Sequence, residues 1–352
     1  MSLTITFVKS LYSIILVLAL CLFSCSKPQT FESEQLSFIN QFGGEGSYES
    51  LIGRARSIEQ NLKGEIIIPD AANANIKIYD SSGNYLRSYG RKGRGPGEFS
   101  GGFFIDTRND TILTYDVSNY TLNFHSDEGE FISTYPVDYY FRGPTLFLNG
   151  NKLITGIKTK AFTTDLSKEK LFHVLDFEGN VIHQFGEFPV IEDEATAFVY
   201  RNYYEVIDNK LHVLFAFLPI YQIYDLNDYS LIKSIDLTEF ETFQKSFSDS
   251  DVSLTREEIV SNKKPLISFA GMLSITDNHV FFFTDAEKND ALVIRRFKIK
   301  DDSLSFVKRI EIPTDGDILG ITDLNYDATN NILNALVASK SSGFVVNQYK
   351  LK

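Results

Sequence analysis

Four arginines are the residues whose type and placing point most directly to chemistry. Arg54, Arg142 and Arg201 each stand near the start of a short strand that, in the repeat set out below, is the innermost of its unit. Arg94 lies in the connecting run Gly90-Arg-Lys-Gly-Arg-Gly-Pro-Gly-Glu-Phe99. Guanidinium groups converging from like positions suit a carboxylate or another small anion, because the planar fork donates two parallel hydrogen bonds. The competing reading is that each arginine pairs with a nearby Asp or Glu and closes its own unit. Arg201 is the most pointed of the four, since other units carry a small residue there.

Other reactive types are scattered. His125, His173, His183, His212 and His279 fall on expected strands or turns, and only His173 and His183 could face each other, across one hairpin. Asp315-Gly-Asp317 and Ser248-Asp-Ser-Asp251 carry oxygens without the spacing of a calcium loop and read as solvated turns. No nucleophile elbow, zincin helix or dinucleotide fingerprint is present. No catalytic residue, metal site or cofactor is therefore assigned, and calcium alone stays open. Trp is absent, which lowers the case for a flat sugar platform, although Tyr can substitute.

The elements that must position the arginines follow from a repeat. Four glycines and a proline within residues 90–99 exclude a helix or strand interior. A phosphate-cradling loop is also glycine-rich, but no helix opens here and no Lys-Ser or Lys-Thr follows the last glycine. The run instead joins one strand–turn–strand unit to the next. Ile78-Tyr-Asp-Ser-Ser-Gly-Asn-Tyr-Leu86 returns as Phe124-His-Ser-Asp-Glu-Gly-Glu-Phe-Ile132 and Val174-Leu-Asp-Phe-Glu-Gly-Asn-Val-Ile182, with a degenerate copy at Ile223 to Leu231. Each has a short polar side chain opening the turn and a residue suited to positive φ three later. Several strands per period of roughly 40–50 residues are the signature of a β-propeller. An inner strand pair turns near Lys63, Asp110, Asn151, Asn209, Asn278 and Asn330, which makes six units.

The last unit ends one strand short at Phe344 to Lys350, and Phe38-Ile-Asn-Gln-Phe42 resembles the missing strand, Val181-Ile-His-Gln-Phe185. The expected fold is all-β: a six-bladed β-propeller of four-stranded antiparallel blades over 36–352, its last blade closed by the N-terminal strand. Such closure removes free sheet edges. Residues 160–170 and 239–264 interrupt the pattern, and Thr255-Arg-Glu-Glu258 in the second predicts a short helix near 256–263.

Ahead of the repeat, Lys9 precedes the apolar run Leu11–Phe23, which has the length of a signal peptide. Leu22-Phe-Ser-Cys25 resembles the bacterial lipobox, which implies cleavage before Cys25 and lipid on its sulfur. Residues 1–24 are then signal and 25–35 a tether. Cys21 leaves with the signal, so the mature domain keeps no free thiol and no disulfide. The 352 residues are 43% hydrophobic with a net charge of −12. That suffices for a large core and argues against a nucleic-acid partner.

The lipobox, the period and the glycine–proline run together resemble the bacterial six-bladed β-propeller lipoproteins with NHL-like repeats, over about 36–352. The resemblance implies the architecture and attachment to a membrane of the cell envelope, with the outer membrane favoured. The expected function is binding, with a small anionic ligand, a peptide or an envelope protein held at one mouth of the channel. The alternatives are an enzyme of the lactonase or lyase kind, which would need calcium at the axis, and a structural subunit of an envelope complex.

Overall fold

The computed structural model describes residues 33–138, 140–141, 145–148, 151–156, 158–159, 169–189, 201–243, 269–276, 279–287, 291–313 and 317–351. Cys25, Arg142, the helix expected near 256–263 and most of the two insertions lie outside these residues. The chain divides at 33/34, and the unit Glu34–Lys352 is the propeller.

Two N-terminal strands, β1 (Ser33–Gln35) and β2 (Ser37–Phe42), belong to the last two blades. Blade one is β3 (Glu59–Gln60), β4 (Ile66–Asp70), β5 (Asn75–Tyr79) and β6 (Tyr85–Tyr89). Blade two is β7 (Phe103–Arg108), β8 (Thr111–Asp116), β9 (Thr121–Ser126) and β10 (Phe131–Pro136). A separate ribbon pairs β11 (Tyr140–Phe141) with β14 (Lys158–Thr159), which flank β12 (Thr145–Leu148) and β13 (Lys152–Thr155). Those two and β15 (Phe172–Asp176) and β16 (Val181–Phe185) make blade three. Blade four is β17 (Asn202–Ile207), β18 (Lys210–Phe215), β19 (Ile220–Asp225) and β20 (Leu231–Asp236). Blade five is β21 (Phe269–Thr276), β22 (His279–Glu287), β23 (Ala291–Lys300) and β24 (Ser303–Pro313), with β1 added outside β24. Three residues expected in the tether thus lengthen a sheet.

Blade six is β25 (Ile318–Asp327), β26 (Ile332–Ser339) and β27 (Gly343–Lys350), and β2 completes it antiparallel to β27, with Ser37 opposite Lys350 and Phe42 opposite Val346. The expected closure is therefore the observed one. Inner strands touch in the order β3, β7, β12, β17, β21, β25 and back to β3. Blades one and four consequently face each other across the axis.

The two middle strands of each blade are buried on both faces, which is why they read as unbroken apolar runs such as Ile66-Ile-Ile68 and Leu211-His-Val-Leu-Phe215. The fourth strand of every blade carries one bulge, and the bulged residue is aliphatic in all six: Ile39, Leu86, Ile132, Ile182, Ile232 and Val307. A bulge twists the edge away from straight pairing, so the exposed outer edges do not template aggregation.

Candidate functional site

The mouth of the channel is fixed by one repeated hydrogen bond. The carbonyls of Arg54, Gly102, Arg201 and Asp317 accept the N–H of Ala71, Val117, Ala216 and Lys340 at 2.7, 2.9, 2.8 and 2.9 Å. These four residues are therefore equivalent starts of inner strands in blades one, two, four and six. In blades one and two the start is clamped by an Asp-x-x-Asn turn. Asp70 accepts the N–H of Gly53 at 2.8 Å and of Arg54 at 3.0 Å, and is itself held by the Asn73 amide at 2.7 Å. Asp116 accepts the N–H and hydroxyl of Ser100 at 2.7 and 2.6 Å, with Asn119 on its other side.

Arg54 and Arg201 thus stand at like positions on opposite blades, both exposed. Neither guanidinium has a carboxylate partner among the described residues. The Arg201 guanidinium lies over the Tyr203 ring at 5.5 Å, a cation–π arrangement that orients it without neutralising it. Arg94 is exposed on the loop between blades one and two, and nothing ties it to the channel. That loop does make an anion cradle, but the chain fills it. The Glu98 carboxylate accepts the Gly95 N–H at 2.9 Å and the Arg91 Nε at 2.8 Å. His173 lies opposite Gln184 rather than His183, which stacks on Tyr229 instead.

Deeper in the channel lies a feature the sequence reading missed. Glu59, Asp106, Glu205 and Asp323 pair with Ile67, Leu113, His212 and Leu336. Each partner stands four residues before its anchoring N–H, so the four acids occupy one layer. The same register puts Leu146 in that layer in blade three. At about 3.3 Å per residue the layer is roughly 13 Å below the arginine rim. Between them blade four contributes Tyr203, in register with Arg201 and Glu205 on one side of its strand.

Burial governs the acids. It pushes Glu205 up to about 8, with Asp106 and Asp323 adding repulsion. It raises Asp323 to about 7 against the N–H groups of Ile58 and Leu324, and Asp106 to about 6 against those of Phe147 and Thr107 and the charge of Arg108. Glu59 is held well above the usual carboxylate range by burial and then by the other three. Four carboxylates in one narrow channel cannot all ionise near neutral pH. Two of them also join blades: Asp323 accepts the Ile58 N–H at 2.9 Å and Asp106 the Phe147 N–H at 2.6 Å. Among the described residues no three His, Cys, Asp or Glu side chains are grouped to hold one metal ion. Their distances from the inner turns differ between blades, so no spacing within one unit marks them.

The family DUF5128, described as 6-bladed beta-propeller, matches residues 37–298. Among solved structures the chain is similar to a protein of Bacteroides fragilis described as exported, with a TM-score of 0.59 and 14% identity over 93% of this chain and 98% of that one. It is also similar to a member of the DUF4221 family from Bacteroides vulgatus, with a TM-score of 0.64 and 12% identity over 90% and 98%. At such identities the likeness is one of fold. No curated protein matches the chain.

Proposed function

The chain belongs to the 6-bladed beta-propeller family DUF5128, and from that premise we propose that it is a lipid-anchored binding module of the cell envelope whose ligand sits at the channel mouth between Arg54 and Arg201. Anchoring rests on the lipobox-like Leu22–Cys25 and is supported by the likeness to a protein described as exported. NHL-like character rests on the repeat and the glycine–proline run.

The observation that carries the binding site is a pair of exposed guanidinium groups at equivalent positions of opposite blades, without a carboxylate partner among the described residues. Such a pair suits a ligand carboxylate or similar anion at the rim. The test is thermal melting of the parent, Arg54→Ala and Arg201→Ala with a panel of small carboxylates. The parent should shift upward with at least one carboxylate, and both variants should melt like the parent without ligand and lose that shift. A parent that responds to none, or an Arg201→Ala that loses several kcal/mol by stranding a buried acid, overturns the site.

One observation favours a second reading, an enzyme. Glu205 and Asp323, raised to about 8 and about 7, are carboxylic acids able to donate a proton near neutral pH, as general acids do. Turnover of a lactone or ester that disappears in Glu205→Gln would support it.

A further inference from the structure

A cleft of about 530 Å³ opens at the seam between blades six and one, away from the channel. We propose that it binds a neutral sugar unit. The inference stands apart from the ligand at the channel mouth and shares no residue with it.

The walls come from three places. Gln41 and Phe42 end β2, Gly43 to Glu45 and Ser50 belong to the loop that follows, and Tyr79, Gly83, Asn84 and Tyr85 form the second hairpin of blade one. The rings pack in series behind the cleft: buried Phe42 lies 4.9 Å from buried Tyr79, which meets Tyr85 edge-on at 5.8 Å. Tyr85 keeps part of its surface open, so a flat C–H face can rest on its ring.

The polar groups decide the class of ligand. One Gln41 amide N–H is spent on Asn347 Oδ1 at 2.8 Å, and one of Asn84 on Asp80 Oδ2 at 2.8 Å. The Tyr79 and Tyr85 hydroxyls donate to the Ser50 carbonyl and the Ser88 hydroxyl. What remains along the cleft is mixed: the Gln41 and Asn84 amides each keep one N–H and a carbonyl oxygen, and the Tyr85 oxygen and the Glu45 carboxylate can accept. Glu45 is exposed and has no partner among the described residues. Donors and acceptors beside an aromatic ring call for a ligand whose polar groups do both and which has an apolar face, which describes the hydroxyls and C–H face of a pyranose. An anion is repelled by Glu45.

The corresponding place between blades one and two shows that the cleft is a departure from the repeat. There Gly97 lies on Phe131 and His125, with a built Cβ 3.0 Å from the Phe131 ring and 3.4 Å from His125. Phe131 and His125 are the register equivalents of Tyr85 and Tyr79. At the seam between six and one the loop leaves that space open.

Saturation-transfer NMR on the full propeller tests the proposal with methyl glycosides of glucose, galactose, mannose and N-acetylglucosamine as probes, and ethanolamine as a cationic control. Transfer to the ring protons of at least one glycoside is expected. It should fall severalfold in Glu45→Ala and in Gln41→Ala, both surface changes compatible with folding, and stay unchanged in Arg201→Ala. No transfer to any glycoside, transfer that survives both cleft variants, or transfer to ethanolamine alone overturns it.

Discussion

Two seams of the ring are built to the same plan and finished differently. Between blades six and one, Phe42 ends a strand, Gly43 turns the chain, and Ile52 plugs the next blade. Between blades one and two, Tyr89, Gly90 and Phe99 do the same, with an equal number of residues in each loop. Both glycines have left-handed φ, 87° and 86°. In both, the ring at the strand end lies against the turn glycine of the next hairpin, Phe42 against Gly83 and Tyr89 against Gly129. The loop between one and two is stapled by its own Glu98 and packs down on His125 and Phe131. The loop between six and one has no such carboxylate staple, and beside it is the cleft. The difference teaches that the propeller specifies the ends of each connection and leaves its middle free to close or to open.

The largest expected effect separates the seams by covalent history, since only the first is closed by a strand from the far end of the sequence. Deleting residues 36–44 removes β2 and bares the edge of β27. Each lost ladder bond costs roughly 0.5–1.5 kcal/mol and the burial of Leu36 and Phe42 is lost as well. Aggregation or a melting temperature lowered by well over 10 °C is expected for so many bonds. An unchanged melt would break the equivalence of this seam with the others.

A smaller effect compares the two turning glycines. A methyl on Gly90 meets the Phe99 ring at 2.4 Å, and that ring is fully buried and stacked on Phe103 at 4.4 Å. A methyl on Gly43 meets the Cδ1 of Ile52 at 2.3 Å, the far end of a side chain that can rotate. Left-handed backbone costs either variant about 1–2 kcal/mol. Gly90→Ala should lose about 1–2 kcal/mol beyond that, and Gly43→Ala less, as read by chemical denaturation. Equal losses would show that the two plugs are equally rigid.

The repeat was legible because turn chemistry and strand patterning are local: Asp80-Ser-Ser-Gly83 and its copies announce themselves in four residues. Ring closure was legible because Phe38 to Phe42 repeats the pattern of Val181 to Phe185. The acid layer was not, because Glu59, Asp106, Glu205 and Asp323 become neighbours only when four blades meet on the axis, and no spacing within one unit marks them. For Arg54 and Arg201 the sequence offers a strand position but no partner, because a partner would come from contacts between units. The cleft was invisible for the same reason: Gln41 and Asn84 are ordinary strand-end residues until the two blades stand side by side.

The smallest effect concerns the residue each seam keeps beneath its loop, Tyr79 in one and His125 in the other. His125 is buried, its Nδ1 has no hydrogen-bond partner among the described residues, and burial holds it down to about 4. Around it stand the rings of Tyr89, Phe99 and Phe131, and none carries a charge that would welcome an imidazolium. The unfolded chain takes up that proton near pH 6.5. The contribution of a neutral His125 is therefore complete above about pH 6.5 and is lost as pH falls toward 4, by about 2–3 kcal/mol in all. The channel acids act in the opposite sense, since Glu205 and Asp323 are raised and favour the folded state more as pH falls through 8 and 7. A single profile mixes the two, so the comparison is between the parent and His125→Phe. That variant keeps the ring and removes only the titrating nitrogens. Denaturation at pH 7 and pH 4.5 should show the variant losing less stability than the parent over that interval. Parallel profiles would mean that the loop over His125 opens to water and that the two seams are alike after all.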